Sequence, residues 1–230
     1  MSDNLAQLER VDIPNLNEVV YNALRRAILR YDFSPGQRLN LSELENHLQV
    51  SRTPLKNALT RLEIEGLVQV HPRRGTFIAE MNAKKFDEDY KIRSAYELYV
   101  AVCIFKYLTP QDYEFFDNIR MDMEALATKA ETVGWHTVIY DYLELDRSLH
   151  QRLVSCGGTP KMVTLWQQTN SHTQVGQLAD RINPKVFKAV HFEHCRILDA
   201  LAIGSPERLS AVLLNHLETA RLTIGNLLAK

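Results

Sequence analysis

Apolar residues recur at three- and four-residue spacing along most of this chain, and only one short stretch alternates. Leu16, Val19, Val20, Ala23, Leu24, Ala27 and Ile28 predict an amphipathic helix that stops before Ser34-Pro35-Gly36. A second, short helix starts near Leu41, with Ser42 as its N-cap. Val50-Ser51-Arg52-Thr53-Pro54 then supplies a turn, capping hydroxyls and an early-turn proline, and a third helix runs to Gly66. Two short helices about a tight turn make a helix-turn-helix. Leu67 to Val70 and Thr76 to Ala79 read as strands around Pro72-Arg73-Arg74-Gly75, which turns the motif into a winged one. From Lys84 onward the periodicity is helical throughout. It is broken at Thr109-Pro110, Gly134, Gly157-Gly158-Thr159-Pro160, Asn183-Pro184 and Gly204-Ser205-Pro206, which leaves six helices. Short connections favour antiparallel neighbours in a bundle. The expected fold is mainly α: a winged helix-turn-helix in residues 1–80 and an antiparallel all-helical bundle in residues 84–230.

Composition narrows the functional classes. With 230 residues, 45% hydrophobic and 24% charged, the chain is an ordinary globular one rather than a disordered or fibrous one. No apolar run approaches the roughly 20 residues that span a bilayer, and MSDNLAQLER lacks the basic and apolar segments of a secretory signal, so a cytoplasmic protein without membrane partners is expected. Cys103, Cys156 and Cys195 lack CxxC spacing and read as reduced packing residues. The net charge of −1 excludes a globally basic nucleic-acid binder. It conceals a local excess, however: between Ser51 and Gly75 five basic residues face two acids, a balance of +3. On the third helix Leu55, Ala58, Leu59 and Leu62 form one stripe, while Arg52, Thr53, Lys56, Asn57, Thr60 and Arg61 project elsewhere. Cations for phosphates and amides or hydroxyls for base edges are what a major-groove helix needs. A solvated face is the plainer alternative. Ile64 falls off the stripe without a reason in the sequence.

In the bundle, polar residues sit where apolar ones are expected. Asp146 lies within the stripe of Trp135, Val138, Ile139, Tyr142, Leu149 and Leu153, and His150 borders it one turn later. His194 is central in the stripe of Phe187, Val190, Leu198 and Leu201, and His216 in that of Leu209, Val212, Leu213, Ala220 and Leu227. Each histidine alone suits a hydrogen-bonded core position, and Asp146 has Arg93 as an alternative partner. Together, one carboxylate and three imidazoles aimed inward form a donor set for a divalent cation. Arg93 and Glu97 also occupy an apolar stripe, with Phe86, Val100 and Ile104, either as a buried ion pair or as contacts to an organic-acid effector. His172 shares an inward stripe with Leu165 and Thr169 and is a candidate to line the same cavity.

The run PGQRLNLSELENHLQVSRTPLKNALTRLEIEGLVQVHPRRGTF, residues 35–77, resembles the DNA-binding domain of GntR-type bacterial transcription regulators. The resemblance implies DNA contacts at Arg38, Arg52, Thr53, Lys56, Arg61 and Gly75, with Ser51 and Thr53 capping the recognition helix. Lys56 stands where the family usually has arginine, Glu45 where a small residue packs, and Gln49 where glycine often makes the turn. Arg93-xxx-Glu97, Asp146-xxx-His150, Glu193-His194-xx-Ile197-Leu198-xx-Leu201 and Asn215-His216-Leu217 resemble the FCD ligand-sensing domain of the FadR branch, and the six-helix count resembles its VanR-like subgroup. That likeness implies a divalent metal on Asp146, His150, His194 and His216, zinc first and nickel or another transition metal otherwise. It also implies an effector-responsive homodimer on a near-palindromic operator, its two recognition helices about 34 Å apart. The effector would act through the segment from Met81 to Phe86. A metal-dependent hydrolase fused to a DNA-binding module is the competing class, with Glu97 its sole candidate base.

Overall fold

The first apolar stripe folds as α1 (Leu16–Leu29) in a computed structural model that describes residues 15–30, 32–80, 83–169 and 182–228. After Pro35-Gly36 comes a two-residue strand, β1 (Arg38–Leu39), which the sequence pattern did not predict. Two residues are too few for alternation to register, and the strand exists only through its pairing with a segment nearly 40 positions away. Then follow α2 (Leu41–Leu48), α3 (Arg52–Ile64), β2 (Val68–His71) and β3 (Gly75–Ile78). β3 is central in the antiparallel sheet, with Arg38 opposite Phe77 on one side and Val70 opposite Thr76 on the other.

Capping differs from expectation at α2. Asn40, not Ser42, is its N-cap: the amide oxygen accepts from the backbone N–H of Ser42 and Glu43, which places Ser42 inside the first turn. Ser51 does occupy the N-cap of α3, but its side chain makes no capping bond. Gln49, standing where glycine was expected, adopts the left-handed conformation with φ 52° at the end of α2. Leu55, Ala58, Leu59 and Leu62 are buried against α1, joined by Leu24, Ile28, Leu67 and Ile78. Ile64 is 48% exposed, so its off-stripe position simply faces outward.

Among the described residues the second region holds α4 (Ala83–Cys103), α5 (Pro110–Val133), α6 (Ile139–Gly157), α7 (Pro160–Gln168), α8 (Pro184–Ile203) and α9 (Pro206–Leu228). The expected breaks separate them. Thr109 and Asp112 close a reciprocal capping box at α5, and Thr159 and Asn183 cap α7 and α8. The helix expected to start at Gly134 opens instead as a 3-10 turn, Trp135–Thr137, because Gly134 (φ 83°) ends α5 outside helical space and the chain needs a turn to re-enter it. Val100, Ile104, Phe116, Met123, Leu149, Leu153, Ile197, Leu201 and Leu213 form the bundle core, and α4 packs chiefly along α9. Tyr140 of α6 packs against the core of the first region as well. No described helix is long and apolar enough to cross a membrane. The three cysteines are free thiols.

Candidate functional site

Asp146, His150, His194 and His216 meet inside the bundle. They come from α6, α8 and α9, are between 0% and 7% exposed, and offer ligand atoms that all lie within 4.8 Å of one another. Asp146 Oδ1 is 3.2 Å from His150 Nε2 and 2.9 Å from His194 Nε2. The approach to His194 is not aligned as a hydrogen bond, which leaves that lone-pair direction to something other than the carboxylate.

What orients the imidazoles is a second layer of side chains. His150 Nδ1 lies 2.6 Å from Glu97 Oε2, His194 Nδ1 is 3.1 Å from the Tyr142 hydroxyl, and His216 Nδ1 is 2.9 Å from Glu193 Oε2. Each ring is therefore held at Nδ1. Where Nδ1–H donates to its oxygen, Nε2 is a bare lone pair turned toward the shared centre. Such a donor set, three imidazole nitrogens and one carboxylate oxygen, fits zinc and neighbouring transition metals and is poor for calcium or magnesium. Tyr142 also contacts His191 Nδ1 at 3.1 Å.

Electrostatics follow from burial and these partners. Burial, then the neighbouring imidazoles, push His216 well below the usual histidine range, which keeps it neutral and able to ligate. Burial also pulls His150 down, but the carboxylates of Glu97 and Asp146 outweigh it and the net direction is upward. Burial raises Glu193 to about 7. Glu97 is opposed by burial, yet Arg93 and His150 hold it down at about 2.

Arg93 and Glu97 form a buried ion pair, Nε to Oε1 at 2.6 Å, behind His150. Arg93 Nη1 donates to the Tyr90 hydroxyl at 3.0 Å, and the indole N–H of Trp166 donates to Glu97 Oε1 at 2.8 Å. Both Glu97 oxygens are thus engaged. The cavity beside Asp146 and His216 is about 50 Å³ and lined by Tyr90, Tyr142, Phe187, Val190 and Ile224 among others, without Arg93 or Glu97. His172 lies outside the described residues.

The basic residues of the winged region are arranged in two groups. Arg38, Arg52 and Gly75 line one groove with Asn40 and Ser42 at the start of α2. Gly75 has φ 110°, so the wing needs glycine for its backbone, and its missing Cβ leaves room for the Arg38 guanidinium beside it. Thr53 and Lys56 are exposed on α3. Arg52 leans toward Glu45, at 3.4 Å, which gives that unexpected glutamate a partner. Arg61 is set apart: it pairs with Glu18 and lies over the Tyr21 ring, 3.7 Å from its centroid.

Periodicity does not find Glu193 or Tyr142. Glu193 is off the inward stripe and reaches the site only across helices, and Tyr142 counts as an apolar position although its hydroxyl is what matters.

Residues 16–78 match the family described as bacterial regulatory proteins, gntR family, and residues 88–219 match the FCD domain. An HTH-type transcriptional regulator in an unstable DNA locus of Streptomyces ambofaciens is 28% identical over 206 residues, 86% of this chain and 80% of that one. The HTH-type transcriptional repressor RspR of Escherichia coli is 30% identical over 139 residues, 60% of this chain and 58% of its own. Among solved structures, E. coli McbR/YncC has the same fold at a TM-score of 0.71, with 20% identity over 92% of this chain and 98% of that one.

Proposed function

Since the chain belongs to the GntR family of bacterial regulatory proteins and carries an FCD domain, we propose that it is a metal-containing regulator whose bundle, residues 84–230, senses a small organic acid and modulates operator binding by residues 1–80. It is a DNA-binding transcription regulator and not an enzyme; its relatives are regulators. Chemistry agrees, because Glu97, the candidate base of a hydrolase, has both oxygens committed to Arg93, Trp166 and His150. Asp146, His150, His194 and His216 hold the metal, zinc in the first place. The observation that carries this reading is the tethering of all three Nδ1 atoms around one carboxylate.

On the DNA side, Arg38, Arg52, Thr53, Lys56, Arg61 and Gly75 meet a near-palindromic duplex as a homodimer. Lys56 contributes phosphate attraction without the planar fork of arginine. In the bundle the effector's acid group approaches from the apolar cavity beside Asp146 and His216. Arg93 and Glu97 act behind His150. A cavity of about 50 Å³ is smaller than an organic acid, so effector entry parts the helices around it. The test is elemental analysis of purified full-length protein: about one transition-metal ion per chain is expected, and protein that takes up none after dialysis against zinc would refute the metal reading.

A further inference from the structure

Helix α6 has two working faces. Asp146 and His150 point into the site, while Tyr140, Glu144 and Arg147, spaced at four and three residues, face the winged region. Arg147 Nη2 is 3.1 Å from Glu65 Oε1, and its Nη1 donates to the Tyr21 hydroxyl at 3.3 Å. Glu65, at the end of α3, also accepts from Arg25 Nε at 3.1 Å and from Tyr21, and Arg25 returns to Glu144 of α6. Arg30 lies over the Tyr140 ring, 5.7 Å from its centroid. Two cations, two carboxylates and a phenol thus form a charge-balanced node, with Arg25 4% and Glu65 7% exposed. The same Tyr21 ring underlies Arg61 on the recognition helix.

From this juxtaposition we propose that the Arg25–Glu65–Arg147–Glu144 node latches the reading head to α6 and is the route by which occupancy of the site reaches the recognition helix. The inference rests on the reading of α6 as a metal-bearing helix. Asp146 and Arg147 are adjacent on one rigid rod, so an ion that fixes Asp146 relative to α8 and α9 also fixes the anchor of Arg147. Arg25 and Glu65 are the buried inner pair, with Arg147 half-buried and Glu144 at the solvent edge, and that inner pair tolerates little displacement because losing one partner strands the other. The signal passes through side chains across the face of α6, in addition to the covalent segment from Met81 to Phe86.

The test uses full-length protein, wild type and Arg147→Met, with Arg147→Lys as a milder second variant should the first fail to fold. Three quantities are measured with zinc or with EDTA: zinc per chain, operator affinity, and deuterium uptake by the amides of α1. In the wild type, zinc is expected to change operator affinity and α1 exchange at least threefold. In Arg147→Met both responses should vanish with zinc content unchanged, and Arg147→Lys should fall between. A variant that keeps the wild-type response to zinc overturns the latch, as does a wild type that binds zinc with no change in α1. A wild type that takes up no zinc defeats the metal reading instead. The latch is then judged on EDTA-treated protein: faster α1 exchange in Arg147→Met supports it, and unchanged exchange refutes it.

Discussion

The two polar surfaces of this molecule are built on opposite terms. On the winged region Arg38, Arg52, Thr53 and Lys56 are exposed and held by few contacts, whereas in the bundle Asp146 and the three histidines are buried and each imidazole is tied at its far nitrogen. A surface that adapts to a duplex gains from side chains that can still choose their partners. A site for a small ion gains from side chains whose orientation is settled beforehand. The contrast predicts that substitutions in the bundle will unsettle the fold, and that substitutions on the reading face will leave folding alone and weaken binding.

The sharpest challenge to that contrast is Glu97→Ala. Removing the carboxylate strands Arg93 in the bundle interior, and a loss of about 3–5 kcal/mol of stability is expected in denaturant titration. A loss below 1 kcal/mol would mean the pair is not buried in solution. Acid titration of the wild type probes the same group. With Glu97 at about 2 in the folded protein and near 4.5 when unfolded, its contribution is complete above about pH 4.5 and is lost as the pH falls through 2. It amounts to about 3 kcal/mol. Next comes His194→Ala, which should abolish zinc binding and with it about 2.7 kcal/mol of stabilisation at free zinc a hundredfold above Kd. Equal zinc content in variant and wild type would remove His194 from the ligand set. Arg52→Ala should cost about 1–3 kcal/mol of operator affinity with melting temperature and zinc content unchanged; an unaltered gel shift would take Arg52 out of the interface. The smallest effect belongs to Gln49→Gly, which relieves a left-handed glutamine and should stabilise the protein by up to about 1 kcal/mol.

The readability of the sequence tracks the same contrast. Asp146, His194 and His216 stand out as polar residues in apolar stripes; each alone has a structural reading, and it is their number that points to a shared centre, where the structure brings them together with His150. Glu193 stands in the FCD-like motif and Tyr142 in an apolar stripe, but their roles beside the imidazoles are hidden for complementary reasons: one is polar at a half-buried position, the other passes for apolar until its hydroxyl is placed. The sequence points to Ser42 as the cap of α2, whereas the backbone places Asn40 there; a two-residue shift of a helix start leaves no mark on the apolar spacing. Glu65 and Arg147 are 82 positions apart, and nothing local marks them as partners.

The depth of the four-residue cluster sets a clock. With every ligand residue at least nine-tenths enclosed and, among the described residues, a narrow apolar void beside them, any ion held there leaves at the pace of helix opening rather than of diffusion. Competing chelators should therefore extract it at a rate independent of their own concentration, and loading or stripping the protein is complete only after incubation long against that opening.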